Sequence, residues 1–313
     1  MADRATREAL GATLNALADE GRDDIVVLDA DLAKATTTVK FKAAYPERFF
    51  DMGIAEQDLM GTAAGLAAGG KTPFASTFAV FATGRAYDQV RNSICYPSLG
   101  VKIAATHAGI TVGPDGGSHQ MIEDIALMSV LPNMRVLVPA DFNAAVAGIR
   151  LASVTPGPFY VRLGRPAVPA LYADDESFEL GKAKVLREGA DVSIIACGNL
   201  VWRAMAAAEA LATEGVDAEV IDMWSVKPID VGTLLASAAK TGAVVTAEEH
   251  SVIGGLGSLV SAVLALNAPC PVEFVGVKDV FGTSGDPEPL MAHFGLTAAD
   301  IVAASKAAIA RKA

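Results

Sequence analysis

Short β-branched runs alternate with longer Ala- and Leu-rich segments along nearly the whole chain, and this alternation restricts the fold more than any other feature. Residues 25–28, 101–104 and 134–138 read as buried strands. Between them Leu10, Leu14 and Leu17 recur at helical spacing, and 56–68 reads as a helix in which Gly61, Gly65 and the alanines permit close backbone packing. Asp141 is placed to cap a helix over 142–152. The alternation breaks once, over 164–178, where Pro166, Pro169 and the acidic turn Asp174-Asp175-Glu176 show no periodicity. It then restarts, with strands at 192–196, 218–221, 243–246 and 272–277 and helices at 201–214, after Asp230 and within 251–272. Strand–helix alternation implies parallel sheets covered on both faces. The predicted architecture is α/β: two doubly wound domains with mainly parallel sheets, residues 1–168 and 180–313, joined by a linker at 169–179. The 313 residues suffice for two such cores.

Charge narrows the function. Acidic side chains number 36 and basic ones 25, a net charge of -11, which argues against nucleic acid, since phosphate backbones demand clustered cations. A small anionic substrate needs only two or three cations and stays open. The hydrophobic fraction is 52% and the mean hydropathy +0.37, so a membrane segment has to be tested. The longest charge-free run, 251–272, is broken by Gly254, Gly255 and Gly257 at one end and by Asn267, Pro269 and Pro271 at the other. Its apolar stretch, 259–266, falls far short of the ~20 residues that span a bilayer, and predicts a buried helix. Met1-Ala2-Asp3-Arg4 leads into an amphipathic stretch, not a signal core. Cys95, Cys197 and Cys270 are widely spaced with no CxxC, which points to neither disulfides nor zinc. These features together predict a cytoplasmic globular protein with no membrane association.

Several residues could carry chemistry. His107 and His119 share a glycine-rich loop that also holds Asp115, between a predicted strand and a predicted helix; ligands of open α/β sheets bind at that end of the strands. Two imidazoles and a carboxylate there offer donors and acid–base capacity, although a plain surface loop would look similar. Glu56, amid Met52, Ile54, Ala55 and Leu59, is a carboxylate in apolar surroundings that would share a proton with a heterocycle nitrogen, or else an ordinary helix-start acid. Phe78 and Phe81 are three apart, placed on one helical face, and would sandwich a flat ring or pack in the core. Arg7, Arg162 and Arg165 are candidate anion binders. His250 and His293 are isolated. Gly254-Gly255-Leu256-Gly257 lacks the last glycine of a dinucleotide loop, with Val260 in its place. Neither a P-loop nor a Gly-Asp-Gly…Asn motif, which holds diphosphate and magnesium in thiamine enzymes, is present.

Taken in order, Ala5-Thr6-Arg7, Asp29-Ala30-Asp31-Leu32, Gly53-Ile54-Ala55-Glu56-Gln57, Thr77-Phe78-Ala79-Val80-Phe81, the loop 107–120, Leu131-Pro132-Asn133, Val138-Pro139-Ala140-Asp141 and Glu248-Glu249-His250 resemble the C-terminal half of transketolase across essentially the whole chain. The resemblance implies a pyrimidine-binding domain followed by the family's C-terminal domain. Glu56 then matches the glutamate on the pyrimidine nitrogen of thiamine diphosphate, and Phe78 and Phe81 the aromatics around that ring. His119 and Asp115 match residues at the sugar's reacting carbons, with His119 a proton shuttle. Arg7, His107 and Arg165 match the cluster that binds the sugar's terminal phosphate. Diphosphate and Mg2+ would belong to a partner, an N-terminal transketolase subunit, in an α2β2 heterotetramer active in carbohydrate metabolism. Two departures bear on the sugar: Ala33-Lys34-Ala35-Thr36 stands where the family often has a phosphate-binding serine, with Thr36 as its substitute, and Gly84 stands in place of a larger pocket residue. A deoxyxylulose phosphate synthase-like protein and the β subunit of a 2-oxo acid dehydrogenase are alternatives within thiamine chemistry; a non-catalytic nucleotide-binding module is an alternative outside it.

Overall fold

The computed structural model describes residues 3–312. In its first half lie β1 (Arg4–Ala5), β2 (Ile25–Asp29), β3 (Phe49–Asp51), β4 (Thr72–Ser76), β5 (Lys102–Ala105), β6 (Arg135–Leu137), β7 (Phe159–Arg162) and β8 (Ala167–Val168). The second half carries β9 (Lys184–Arg187), β10 (Val192–Ala196), β11 (Ala218–Asp222), β12 (Ser225–Lys227), β13 (Val244–Ser251) and β14 (Val272–Val277). The larger sheet has the order β12-β6-β7-β5-β4-β2-β3 and is parallel except at the edge strand β12. The smaller sheet, β14-β13-β10-β11-β9, is parallel except at β9. Both are the predicted α/β type.

Residue alternation explains why the central strands read as unbroken apolar runs. Ile25 and Val27 point into one core with Leu10, Leu14, Phe74 and Trp224. Val26 and Leu28 point the other way, into a core with Leu59, Ala75, Ile103 and Tyr160. Helices cover both faces, so both parities must be hydrophobic.

Local signals work as read at several places. The helix Glu56–Ala68 and strand β14 fall at the predicted positions. Asp141 caps Phe142–Val154 by accepting from the Ala144 amide at 2.7 Å. Its second oxygen accepts from the amides of Leu171 and Tyr172 at 2.7 and 3.0 Å, which fastens the aperiodic segment to the body. Within that segment β8 pairs with β1, and Tyr172 is buried.

Two expectations need correction. The helix Leu256–Asn267 is not buried all round: Leu256, Val260 and Leu264 are covered while Leu266 is exposed, so only one face packs. And β12, predicted with the second domain, returns to the larger sheet, where Ser225 pairs with Leu137 and Lys227 with Val136. No described helix is long and apolar enough to cross a membrane. The three cysteines are free.

At the end of β11 the wholly buried Asp222 accepts from the Tyr172 hydroxyl at 2.7 Å, while its other oxygen has no partner among the described residues. Burial, and then Asp141, pushes its carboxyl up to about 8. An acid raised in the folded state keeps its proton there and loses it on unfolding, so its contribution to stability falls as pH rises from about 4 to about 8. Asp222→Asn is neutral throughout. Its melting temperature is therefore expected to gain on the native chain by about 2–4 °C or more between pH 5 and pH 8, as read by scanning calorimetry; a pH-independent difference would refute the assignment.

Candidate functional site

In the larger sheet β3 lies on one side of β2, and the chain then crosses back to place β4 and β5 on the other. The crevice at the carboxyl ends beside such a reversal is the usual ligand site of an open α/β sheet. Glu56 follows β3, Phe78 follows β4, His107 follows β5 and Arg165 follows β7. The backbone is strained there: Asp31 and His107 hold φ of 60° and 58°, a left-handed conformation that costs a non-glycine residue energy.

Glu56 opens its helix and is only 2% exposed. Its surroundings are not purely apolar. The Arg85 guanidinium donates to both carboxylate oxygens, at 3.0 and 2.9 Å, and lies over the Phe81 ring, 4.4 Å from its centroid. Phe78 and Phe81 do not share a helical face as predicted, because the Phe78 segment bridges to Thr106 and the Ala79 amide donates to its carbonyl. Phe81 starts a π-helical turn, Phe81–Arg85. The two rings nevertheless lie almost parallel, 11° between planes and 6.0 Å between centroids. His119 stands edge-on to Phe81 at 5.5 Å, and the His107 ring stacks on Phe78 at 3.9 Å.

Beyond His107 the character turns cationic. Arg7 donates to the Ala35 carbonyl at 2.9 Å and reaches His107 Nε2 at 3.3 Å; its own Nε is buried without a partner among the described residues. Arginine can only donate, so His107 Nε2 accepts, and Nδ1 carries the proton that it gives to Thr106 Oγ1 at 2.8 Å. Burial, then Arg7, then Arg165 lowers the His107 imidazole to about 3. It is neutral, and its visible work is to aim Arg7. Burial, then the positive charge of Arg165, also lowers the Arg7 guanidinium. Arg165 donates to the Val112 carbonyl and pairs with exposed Asp115 at 3.5 Å. Thr36 does not face this cluster: its hydroxyl is buried against Asp29 at 2.7 Å. Arg162 does not either; it is a buried partner of Asp124.

Six of the eight predicted site residues, with Arg85 between Glu56 and Phe81, thus form one row of contacts. Arg165 and Asp115 pair with each other and reach it only through the field of Arg165 on Arg7 and His107. Sequence reasoning missed one member of the row, Arg85. Its signal was present, four residues after Phe81, a spacing that brings an arginine over an aromatic ring on a helix. A second omission is the supporting role of Glu249, which accepts from the Thr111 amide at 2.6 Å and so holds the loop of His107 and His119 from the other sheet. The Gly254-Gly255-Leu256-Gly257 turn is closed to a dinucleotide. Buried Glu248 accepts from the amides of Leu256 and Gly257 at 2.7 and 2.8 Å, taking the anion's place at the helix start. His250, also buried, accepts from the Ala126 amide at 3.3 Å.

The fold is that of a doubly wound α/β protein, and the row of residues is a candidate site on its larger sheet. Residues 2–170 match the pyrimidine binding domain of transketolase, and 181–301 match the transketolase C-terminal domain. The chain belongs to the transketolase family, to the portion made of those two domains. It is 46% identical to a putative transketolase C-terminal section of Methanocaldococcus jannaschii, over 93% of this chain and 92% of that protein. It is 45% identical to a 6-deoxy-6-sulfo-D-fructose transketolase subunit of a Clostridium species, over 93% and 90%. Among solved structures, a split gene transketolase described as an inactive beta4 tetramer superposes with a TM-score of 0.92 at 56% identity, covering 100% of both chains.

His107 is expected to stay neutral from pH 8 down to about 4. A carbon-13 NMR titration of its ring should show no inflection near 6.5, and Arg7→Ala should move the inflection upward. An inflection between pH 6 and 7 in the native chain would refute this.

Proposed function

We propose that this chain is the pyrimidine-binding subunit of a divided, thiamine diphosphate-dependent transketolase, which moves a two-carbon ketol unit from a phosphorylated ketose to an aldose acceptor. The observation that carries the proposal is the row itself: a buried carboxylate beside two near-parallel aromatic rings at one end, and at the other Arg7 held on His107 with the charge of Arg165 felt by both. The carboxylate end fits an aminopyrimidine, since Glu56 and Phe81 already receive a flat nitrogen cation, Arg85. The cationic end fits a dianion, since Arg7 Nε is buried with its donor unmatched.

Bound here, thiamine diphosphate supplies the carbon nucleophile and the electron sink. Glu56 holds a proton against the pyrimidine ring nitrogen, and Phe78 and Phe81 fix the plane of the ring. His119, at the edge of Phe81, carries protons to and from the sugar oxygens, while Asp115 accepts from a sugar hydroxyl. Arg7 and Arg165 take the terminal phosphate, with His107 orienting Arg7 as a neutral acceptor. A sulfonate end, of the kind named for the Clostridium relative, would meet the same two arginines. Diphosphate and Mg2+ fall to an N-terminal transketolase subunit, in an α2β2 assembly in the cytoplasm. Relatives of this length named as a section and as a subunit support that division.

The test is a ketol-transfer assay on the chain alone and mixed with the product of its neighbouring gene, with thiamine diphosphate, Mg2+, xylulose 5-phosphate and ribose 5-phosphate. Activity is expected only in the mixture. Glu56→Ala should lower kcat about a hundredfold or more, and Arg165→Ala should act chiefly through KM, about tenfold. A mixture that forms no complex and binds no thiamine diphosphate would overturn the proposal.

A further inference from the structure

Arg85 makes two contacts at once, and they are the two that the functional proposal reserves for the pyrimidine ring. Its guanidinium is flat and delocalised; it lies over the Phe81 face at 4.4 Å and donates from Nη1 to both oxygens of Glu56. An aminopyrimidine is likewise flat, presents nitrogen to Glu56 and stacks on an aromatic. The Glu56 carboxylate is buried while the Arg85 side chain is about half exposed, so the carboxylate is the fixed partner and the guanidinium the one with room to move.

The local winding keeps the backbone of Arg85 in place. Phe81–Arg85 is π-helical, closed by the Ala86 amide on the Phe81 carbonyl at 3.2 Å, and the Arg85 carbonyl accepts from the Gln57 side chain at 3.3 Å. Gly84, beside it, presents no side chain, and a Cβ there would meet nothing within 4 Å. The side chain can therefore leave Glu56 by rotamer changes alone, toward solvent, while the main chain stays where Phe81 needs it.

We infer that Arg85 is an internal stand-in for the cofactor's pyrimidine ring, which pairs with Glu56 and covers Phe81 until the ring displaces it. This rests on the assignment of Glu56 and Phe81 to that ring. The stand-in has a definite use. A carboxylate taken out of water without a partner is costly, and Arg85 supplies the partner for as long as no ring nitrogen does. Loading becomes an exchange of one flat nitrogen donor for another, and affinity is lowered by the fraction of time that Arg85 holds the place.

The experiment titrates thiamine diphosphate with Mg2+ into the complex of this chain and its partner subunit, by calorimetry for Kd and by stopped-flow fluorescence for the association rate. Arg85→Ala is expected to bind about fivefold more tightly than the native chain, the factor set by an ion pair of this exposure, and to associate faster. Arg85→Lys, which keeps the charge without the flat face and serves if the alanine variant folds poorly, should fall between the two. A purely structural role would shift the melting temperature of these variants and leave the association rate alone. Affinity and rate unchanged or reduced in both variants, with Glu56→Gln still weakening binding, would overturn the stand-in and leave the thiamine assignment intact. Binding unaffected by Glu56→Gln, or no binding by the native complex, would overturn that assignment and the stand-in with it.

Discussion

The buried guanidinium of Arg162 fastens the two sheets together, and the site depends on that joint. It leaves the carboxyl end of β7, donates to Asp124 at 2.7 and 3.2 Å, and reaches the Glu249 carbonyl on β13 at 2.9 Å and the Met121 carbonyl at 3.3 Å. Taking such a pair out of water costs several kcal/mol per ion, as an order of magnitude, unless every donor and acceptor is matched. Here Arg162 donates to both carboxylate oxygens, and the Tyr160 hydroxyl adds a second donor, at 2.5 Å, to the oxygen that takes Arg162 Nε. Burial alone would raise the Asp124 carboxyl; Arg162 reverses the balance and holds it below its usual value. The outcome is a pair that ties β7, the start of the helix Asp124–Ser129 and β13 to one point.

That point lies at the foot of the loop that carries His107, Asp115 and His119, and the rest of the loop is clamped from the same side. Glu249 holds the Thr111 amide, and Gly109 leaves it room: a Cβ on Gly109 would stand 2.3 Å from the Glu249 carboxylate, and its φ of 81° favours glycine. Further on, Gln120 donates to the carbonyls of Ile110 and Thr283 at 3.0 and 2.9 Å, and Gly117 lies so near the Gly282 carbonyl that a Cβ would come within 2.6 Å. The smaller sheet and the segment after β14 therefore contribute none of the eight predicted site residues, yet they fix the loop that holds three of them. A loop rich in glycine pays a high entropy to be ordered, and this cross-domain packing is what offsets it.

How much of this could be read from the sequence follows from the range of the interactions involved. β2, β5 and the helix Glu56–Ala68 were legible because burial on both faces, or a small-residue face, writes itself into neighbouring positions. The candidate site residues were legible as positions, since Glu56, Phe78, His107 and Arg165 each follow the carboxyl end of a strand. Their states were not. Glu56 finds its cation 29 residues away, and His107 is neutral because of Arg7, 100 residues before it, and Arg165. Thr36 stood at a plausible ligand position, but local geometry turned its hydroxyl onto Asp29. The pairing of β12 with β6 depends on a chain crossing that no local pattern encodes.

The order of groups along the site has a physical reason of its own. A buried carboxylate and a pair of guanidinium groups in one crevice would collapse into salt bridges if they could touch, and neither end would then be available to a ligand. They cannot touch, because Phe81, Phe78 and neutral His107 stand between them, rigid rings with few rotamers stacked from 6.0 to 3.9 Å. A histidine with its ordinary pKa would carry charge near neutrality and blur that separation; burial beside two arginines prevents it. Each end consequently keeps its own partner. Arg85 answers Glu56 locally, while Arg7 and Arg165 are left with carbonyls, the exposed Asp115 and an unmatched donor. In a chain of net charge -11, this neutral spacer is what allows two cations to stay together, short of acidic partners and open to an anion.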